Sequence, residues 1–223
     1  MRKRAVTWPT GLFTFVVAAA SLPAQSPDTS IRPFDNPSMA VWVGGALHQP
    51  LKTRVGHRHD NNVFVLGASL LWSVVDRRPV ELDYVLEGLP AVIATGFPRY
   101  EVVNSPTGSS TRLAGLRTAY GVGLLPIGVR LRAHLTQHTS FSLHGGGGLG
   151  FFSIAVPDPG ERRLNYVGEA GADLTFGCSH GRSVATGFRL LHVSNGGSGP
   201  VNPGMNARLF TVGLTFGCRT PAT

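Results

Sequence analysis

The chain has 223 residues, enough for one ordinary domain, and a formal net charge of +8 at pH 7. Hydrophobic residues make up 42% of it and charged residues only 14%, against about 25% charged in typical soluble domains. This balance argues against an ordinary soluble domain, and the lack of interleaved basic and aromatic residues argues against a nucleic-acid partner.

The N-terminus has the pattern of an export signal. A basic start, Met1-Arg2-Lys3-Arg4, precedes a short apolar run from Leu12 to Ala20 and a break at Pro23-Ala24-Gln25. The run is too short to span a bilayer, so residues 1–24 are predicted to be a signal peptide cleaved after Ala24. Cleavage would leave 17 basic and 12 acidic residues, a net charge of +5. Residues 25–37 are polar and proline-rich, which predicts a linker.

Eight later segments have the alternation typical of β-strands. They lie at roughly 38–49, 60–75, 79–94, 115–135, 139–156, 163–178, 182–195 and 206–218. Tight turns at 76–78, 136–138 and 179–181 alternate with longer connections at 50–59, 95–114, 157–162 and 196–205. The predicted fold is an all-β, eight-stranded, antiparallel up-and-down outer-membrane β-barrel over residues 38–218. The alternative is a soluble β-sandwich with one face of each sheet exposed to solvent.

Alternation also assigns side chains to the two faces of the barrel wall. Acidic residues of the third and sixth segments and basic residues of the fourth oppose apolar positions; they are Glu81, Asp83, Glu87, Glu169, Asp173, Arg130, Arg132 and His134. An eight-stranded barrel is narrow enough for side chains to fill it. The predicted lumen is therefore an ion-paired plug and not a channel.

The seventh strand ends in a potential catalytic pair. His192 and Ser194 are two residues apart, so they share a face of the strand and can share a proton. That face also carries Phe188 and Leu190, which predicts that the pair points toward lipid. Asn206 has the outward parity of the eighth strand and is expected beside His192.

These residues resemble the outer-membrane lipid A 3-O-deacylases of the PagL type. The resemblance is carried by F-R-L-L-H-V-S-N-G-G at 188–197 and N-P-G-M-N at 202–206. It implies an eight-stranded barrel with a serine esterase site on its outer surface, near the outer leaflet. By position, His192 matches the base and Ser194 the nucleophile. Asn195 and Asn202 match asparagines of the oxyanion site and its loop, and amides around Asn195, Gly197 and Asn202 are expected to stabilise the oxyanion.

One position departs from that pattern. The family has a glutamate that orients the histidine, and this chain has Asn206 there. An amide oxygen can accept a hydrogen bond from the ring, but it has no charge to stabilise imidazolium. Since no acidic residue follows Asp173, the sequence predicts either a slower esterase or a non-catalytic relative.

Three other sequence features are weaker evidence for a function. Gly177-Cys178-Ser179-His180-Gly181 fits G-x-S-x-G, but no acid follows Ser179 in chain order, so an α/β-hydrolase triad is rejected. Cys178 and Cys218 end similar segments at the periplasmic end, and a disulfide between them is left open because two strand spacings separate them. His57 and His59 lack a third ligand nearby, so no metal is assigned.

The sequence therefore predicts an outer-membrane serine esterase that removes an ester-linked acyl chain from lipid A or a similar outer-leaflet lipid. Lipopolysaccharide and the outer membrane are its expected partners, without a cofactor, and a homodimer is left open. The alternative is a non-catalytic small barrel with a structural or adhesive role, whose exposed connections at 50–59 and 95–114 would bind a partner. A pore is disfavoured by the packed lumen.

Overall fold

The barrel wall is built from alternating sequence segments that pair in chain order. The computed structural model describes residues 37–52, 58–77, 79–157, 162–198 and 204–217. The strands are β1 (Ser38–Lys52), β2 (Arg58–Arg77), β3 (Val80–Ser105), β4 (Gly108–His134), β5 (Thr139–Phe152), β6 (Leu164–Ser179), β7 (Arg182–Ser194) and β8 (Met205–Phe216). Each is antiparallel to its neighbours, and β1 pairs with β8 from Met39↔Phe216 to Gly45↔Phe210. The eight strands thus form a closed barrel, as predicted.

The outer wall is apolar because alternate residues of each strand point away from the lumen. Phe210 is 64% exposed and Val212 45%, while Leu209 and Thr211, which alternate with them along β8, are buried. Large exposed apolar side chains of this kind form the lipid-facing band of an outer-membrane barrel. No helix among the described residues is long and apolar enough to cross a bilayer.

The lumen holds the predicted ion pairs. Arg130 donates to Asp83 at 2.8 Å and Arg132 to Glu81 at 2.8 Å, which joins β4 to β3. Arg189 of β7 donates to both carboxylate oxygens of Glu87, at 3.0 and 3.1 Å. Paired charges therefore fill part of the described lumen, and a cluster of buried apolar side chains that includes Leu89, Leu125 and Leu209 fills another part.

The Arg189 guanidinium joins two further strands. It lies 3.3 Å from Glu169 of β6 and 4.0 Å from the centre of the Trp42 ring of β1. The Trp42 indole occupies the space that a side chain at Gly67 would need, so this arrangement requires glycine at that position of β2. A cavity of about 50 Å³ beside these groups has room for a few waters only.

One predicted connection is wrong. Residues 95–114 were expected to form a long polar loop, but β3 and β4 continue through this stretch and turn at residues 106–107. The pairs from Phe97↔Arg117 to Ser105↔Gly108 lie beyond the pairing of β3 with β2 and of β4 with β5. We call residues 97–117 the β3–β4 ribbon. Residues 101–114 are exposed on both faces, so the sequence there lacks the alternation that marks a half-buried strand.

Several predictions concern residues outside the described ranges. The signal peptide and most of the linker fall within residues 1–36, which are not described. The same holds for His57, Asn202 and Cys218, and for the side chains of His59 and Cys178. The domain limits and the disulfide therefore remain predictions.

Candidate functional site

His192 lies on the outer wall of the barrel. Exposed and buried residues alternate along β7 from Phe188 to Val193, and His192 is exposed together with Phe188 and Leu190. Phe188 is 46% exposed and Leu190 47%, as expected for lipid-facing positions. The imidazole therefore points away from the lumen, in the direction that strand parity predicts.

The ring of His192 is held by Asn206. The two residues face each other across the β7–β8 ladder, and the His192 Nδ1 to Asn206 Oδ1 distance is 2.7 Å. An amide oxygen can only accept, so this bond puts the ring proton on Nδ1 and leaves the Nε2 lone pair free to accept a proton. Asn206 thus selects the tautomer that a general base needs.

Ser194, the last residue of β7, has the same parity as His192 but is only 9% exposed. It faces Tyr166 across the β6–β7 ladder, and the Tyr166 ring lies against the backbone of Gly196. Among the hydrogen bonds of the described residues, none joins the Ser194 hydroxyl to the His192 ring. Hydrogen bonds of this kind often form only when substrate binds.

The segment after Ser194 is a compact turn organised by Asn195. The Asn195 side chain is 1% exposed, and its Oδ1 accepts a hydrogen bond from the Gly197 N–H at 2.8 Å. Gly196 and Gly197 have φ of +63° and +79°, which favours glycine at both positions. The Gly197 N–H is therefore occupied here, and it could serve an oxyanion only after the Asn195 side chain releases it.

Sequence reasoning missed one contact that holds this turn. The Arg162 Nε and Nη2 groups both donate to the Ser198 carbonyl oxygen, at 3.2 and 3.0 Å. The two residues are 36 positions apart and lie in different connections at the same end of the barrel. No local pattern marks such a pairing, so a single sequence gives no signal for it.

Two outward-facing arginines indicate the height of the site in the membrane. Arg182 pairs with Phe216 and Arg208 pairs with Leu190, and both arginines are exposed. These two cross-strand pairs are eight residues apart along β7, or about 26 Å along the strand. A strand tilt of about 40° reduces this to about 20 Å along the membrane normal, close to the height of the apolar band of such barrels. His192 and Asn206 form the next outward-facing pair of the β7–β8 ladder, beyond Leu190 and Arg208, so they lie at the outer edge of that band.

The described residues include no group of three or more His, Cys, Asp or Glu side chains that could hold a metal ion. The luminal cavity is lined by Trp42, Glu87, His144 and Arg189 among others, and neither His192 nor Ser194 lines it. The outward-facing pair and the luminal ion pairs are therefore separate features.

Comparisons with known proteins support the fold. No family model and no curated protein matches the chain. A crystal structure of the outer-membrane enzyme PagL is similar, with 18% identity, coverage of 80% of this chain and 98% of that chain, and a TM-score of 0.52. Neisserial surface protein A has 7% identity, coverage of 82% and 96%, and a TM-score of 0.44. Ail of Yersinia pestis, in complex with the heparin analogue sucrose octasulfate, has 11% identity, coverage of 82% of this chain and 99% of that chain, and a TM-score of 0.41. At 18% identity the likeness to PagL shows the architecture alone, an eight-stranded outer-membrane barrel.

Proposed function

We propose that this barrel is an outer-membrane serine esterase that removes an ester-linked acyl chain from lipid A or a similar outer-leaflet lipid. The observation that carries the proposal is the His192–Asn206 hydrogen bond of 2.7 Å on the outer wall, with Ser194 two residues away on the same face. A polar pair at the outer edge of the apolar band lies at the depth where lipid esters join headgroups to acyl chains.

The proposed reaction uses His192 as general base and Ser194 as nucleophile. His192 Nε2 takes the Ser194 proton while the hydroxyl oxygen attacks the acyl carbonyl carbon. The tetrahedral intermediate collapses to an acyl-serine, and the imidazolium returns its proton to the departing lipid oxygen. Water, deprotonated by the same ring, then attacks the acyl-serine and releases the fatty acid. Amide groups around Asn195, Gly197 and Asn202 are the proposed oxyanion donors, each worth about 10²–10³ in rate.

The outer wall beside His192 has room for an acyl chain. Five outward positions of β5 and β6 carry no side chain larger than a methyl group. Four of them form a block of two facing pairs, which we call the small-residue surface: Gly145, Gly147, Gly168 and Ala170. Gly168 pairs directly with His192. Ile127 borders the surface on one side and Leu190 on the other, 76% and 47% exposed. This depression supports the proposal that an acyl chain lies along β6.

The direct test is incubation of the purified barrel with lipopolysaccharide, followed by mass spectrometry of the lipid. The proposal predicts a free 3-hydroxy fatty acid and lipid A lighter by one acyl chain. Intact lipid A after prolonged incubation with folded protein would contradict it.

Filling the small-residue surface should separate acyl binding from chemistry. A Cβ atom at Gly168 would meet only the Gly146 carbonyl oxygen, at 4.0 Å, and the position faces outward, so we expect Gly168→Leu to fold. We expect hydrolysis of long-chain lipid to fall at least about tenfold, because leucine takes the space of the chain beside His192. Hydrolysis of a short, soluble ester should change little.

The matched control is Gly45→Leu, at an outward position of β1 where a side chain makes an ordinary 3.6 Å contact with Phe64. It should leave both rates unchanged. Equal loss of both activities in Gly168→Leu would contradict acyl binding at this surface.

Restoring a charge at position 206 should raise the rate. In Asn206→Glu a carboxylate faces the imidazolium that forms during attack, and we expect kcat to rise by about 10- to 100-fold. Asn206→Ala removes the acceptor for Nδ1–H and should lower kcat. Steady-state release of fatty acid from lipid A measures both, and a slower Asn206→Glu enzyme would contradict the assigned role.

A second function is favoured by one observation, the projecting β3–β4 ribbon. Val102 is 64% exposed and Leu116 59%, and the ribbon pairs with no other strand in the described residues. A non-catalytic barrel would use such a surface for adhesion. Binding to host cells that is lost on shortening the ribbon, with no lipid product, would favour this alternative.

A further inference from the structure

Arg208 is a positive charge on the lipid-facing wall next to the proposed catalytic row. It is exposed on the outer face of β8, between Asn206 and Phe210, and it pairs with Leu190 of β7. Phe210 is 64% exposed and Leu190 47%. Charged side chains on this face are costly in the apolar band and tolerated at its edge, where they contact headgroups.

No carboxylate partners this arginine among the described residues. The luminal arginines Arg130, Arg132 and Arg189 each form an ion pair with an acidic side chain at 3.0 Å or less. Asp60, at the outer end of β2, pairs with His48 of β1 at 3.5 Å. Arg208 forms no such pair, although its surroundings are partly apolar. The guanidinium of Arg208 is therefore free to bind an anionic group of the surrounding lipid.

The backbone of Arg208 is held by a side chain of the neighbouring strand. The β1–β8 ladder ends at Gly45↔Phe210. Beyond that point the Arg208 N–H donates to Gln49 Oε1 at 3.2 Å, and Gln49 Nε2 donates to the Leu47 carbonyl oxygen at 2.8 Å. The position of Arg208 is thus fixed where the regular pairing has stopped.

The reach of the side chain suits a ligand group beside the site. Arg208 and Asn206 are two residues apart on one face, about 7 Å along the strand. A long arginine side chain at the edge of the apolar band turns its guanidinium outward to the polar region. A guanidinium turned outward from position 208 can reach the level of the His192–Asn206 pair, and its planar donors match the oxygens of a phosphate.

We propose that Arg208 binds a phosphate group of the outer-leaflet lipid whose acyl ester is presented to Ser194. The inference rests on the proposed function for the identity of that lipid as a substrate. It makes Arg208 a residue that selects phosphorylated lipid A over dephosphorylated lipid A and over phospholipids, and that positions the ester relative to the headgroup.

Binding can be measured without turnover in the Ser194→Ala variant. Native mass spectrometry of the folded barrel in detergent would compare retention of phosphorylated lipid A, the same lipid A after removal of its phosphates, and phosphatidylglycerol. We expect a preference of about tenfold for phosphorylated over dephosphorylated lipid A, as for one charge-assisted hydrogen-bonded pair. Adding Arg208→Gln should abolish the preference, and Arg208→Lys should reduce it.

The matched control is Arg182→Gln, which removes an outward-facing arginine at the other end of β7 and should keep the preference. The inference is overturned if Arg208→Gln retains the preference or if Arg182→Gln loses it equally. Phosphatidylglycerol retained as well as phosphorylated lipid A, in an Arg208-dependent way, would assign the phosphate to a phospholipid and overturn selection of the glycolipid. Because no step requires hydrolysis, failure of the esterase proposal would appear separately, as missing fatty acid from the Ser194-containing protein.

Discussion

Ser194→Ala is expected to reduce the release of fatty acid from lipid A by about 10⁴- to 10⁶-fold, to the level of the oxyanion donors and substrate binding alone. The hydroxyl supplies the bond-forming atom, and no neighbouring group in the described site replaces it. The side chain is small and 9% exposed, so its loss should leave the barrel folded. Fatty-acid release by mass spectrometry and heat-modifiable migration on a gel measure the two effects.

Ser183→Ala is the matched control for this variant. Ser183 lies on the same strand but is buried on the luminal face. Its removal should leave the rate within a factor of about two, because it has no path to lipid. A Ser194→Ala protein that still releases acyl chains at the native rate would contradict the assignment of the nucleophile.

Arg189→Met is expected to cost about 3–5 kcal/mol in the free energy of unfolding. The Arg189 guanidinium bonds both oxygens of Glu87 and lies 3.3 Å from Glu169 and 3.9 Å from Asp173. Its side chain is 10% exposed. Removing it leaves three acidic groups close together in a narrow lumen, with a large desolvation penalty and mutual repulsion. Urea unfolding of the barrel in lipid vesicles measures the change.

The acidic partners give this prediction an internal control. Adding Glu87→Gln and Glu169→Gln to Arg189→Met removes most of the unpaired negative charge in the lumen and should recover much of the lost stability. Arg182→Gln, on the exposed outer wall, should change stability by less than about 0.5 kcal/mol. An Arg189→Met barrel that unfolds at the native urea concentration would contradict the account of the lumen.

Strand parity predicted much of the fold and part of the site. The alternation around Glu81, Asp83, Arg130 and Arg132 was sufficient to place these side chains in the lumen, where they pair. The same rule put His192 and Asn206 side by side on the outer wall. Parity gives the direction of a side chain and not its exposure, because exposure depends on neighbouring segments. Ser194 has outward parity, yet it is nearly buried beside Tyr166 and Gly196.

The features that escaped prediction depend on contacts between distant segments or on missing burial. Arg162 holds Ser198, and Gln49 holds Arg208, across 36 and 159 residues. The Gly197 N–H is taken by Asn195 within a turn whose shape the sequence does not specify. The β3–β4 ribbon was mistaken for a loop because a strand pair with both faces in solvent needs no apolar face.

Covalent labelling tests the central claim most directly, namely that His192 activates Ser194 toward a reactive group in the surrounding lipid. The folded barrel in vesicles would be treated with a fluorophosphonate carrying a long alkyl chain, digested with trypsin and sequenced by mass spectrometry. The account predicts an adduct on Ser194, in the peptide 190–208, that His192→Ala strongly slows. An absent adduct, a label on another serine, or a rate independent of His192 would contradict it.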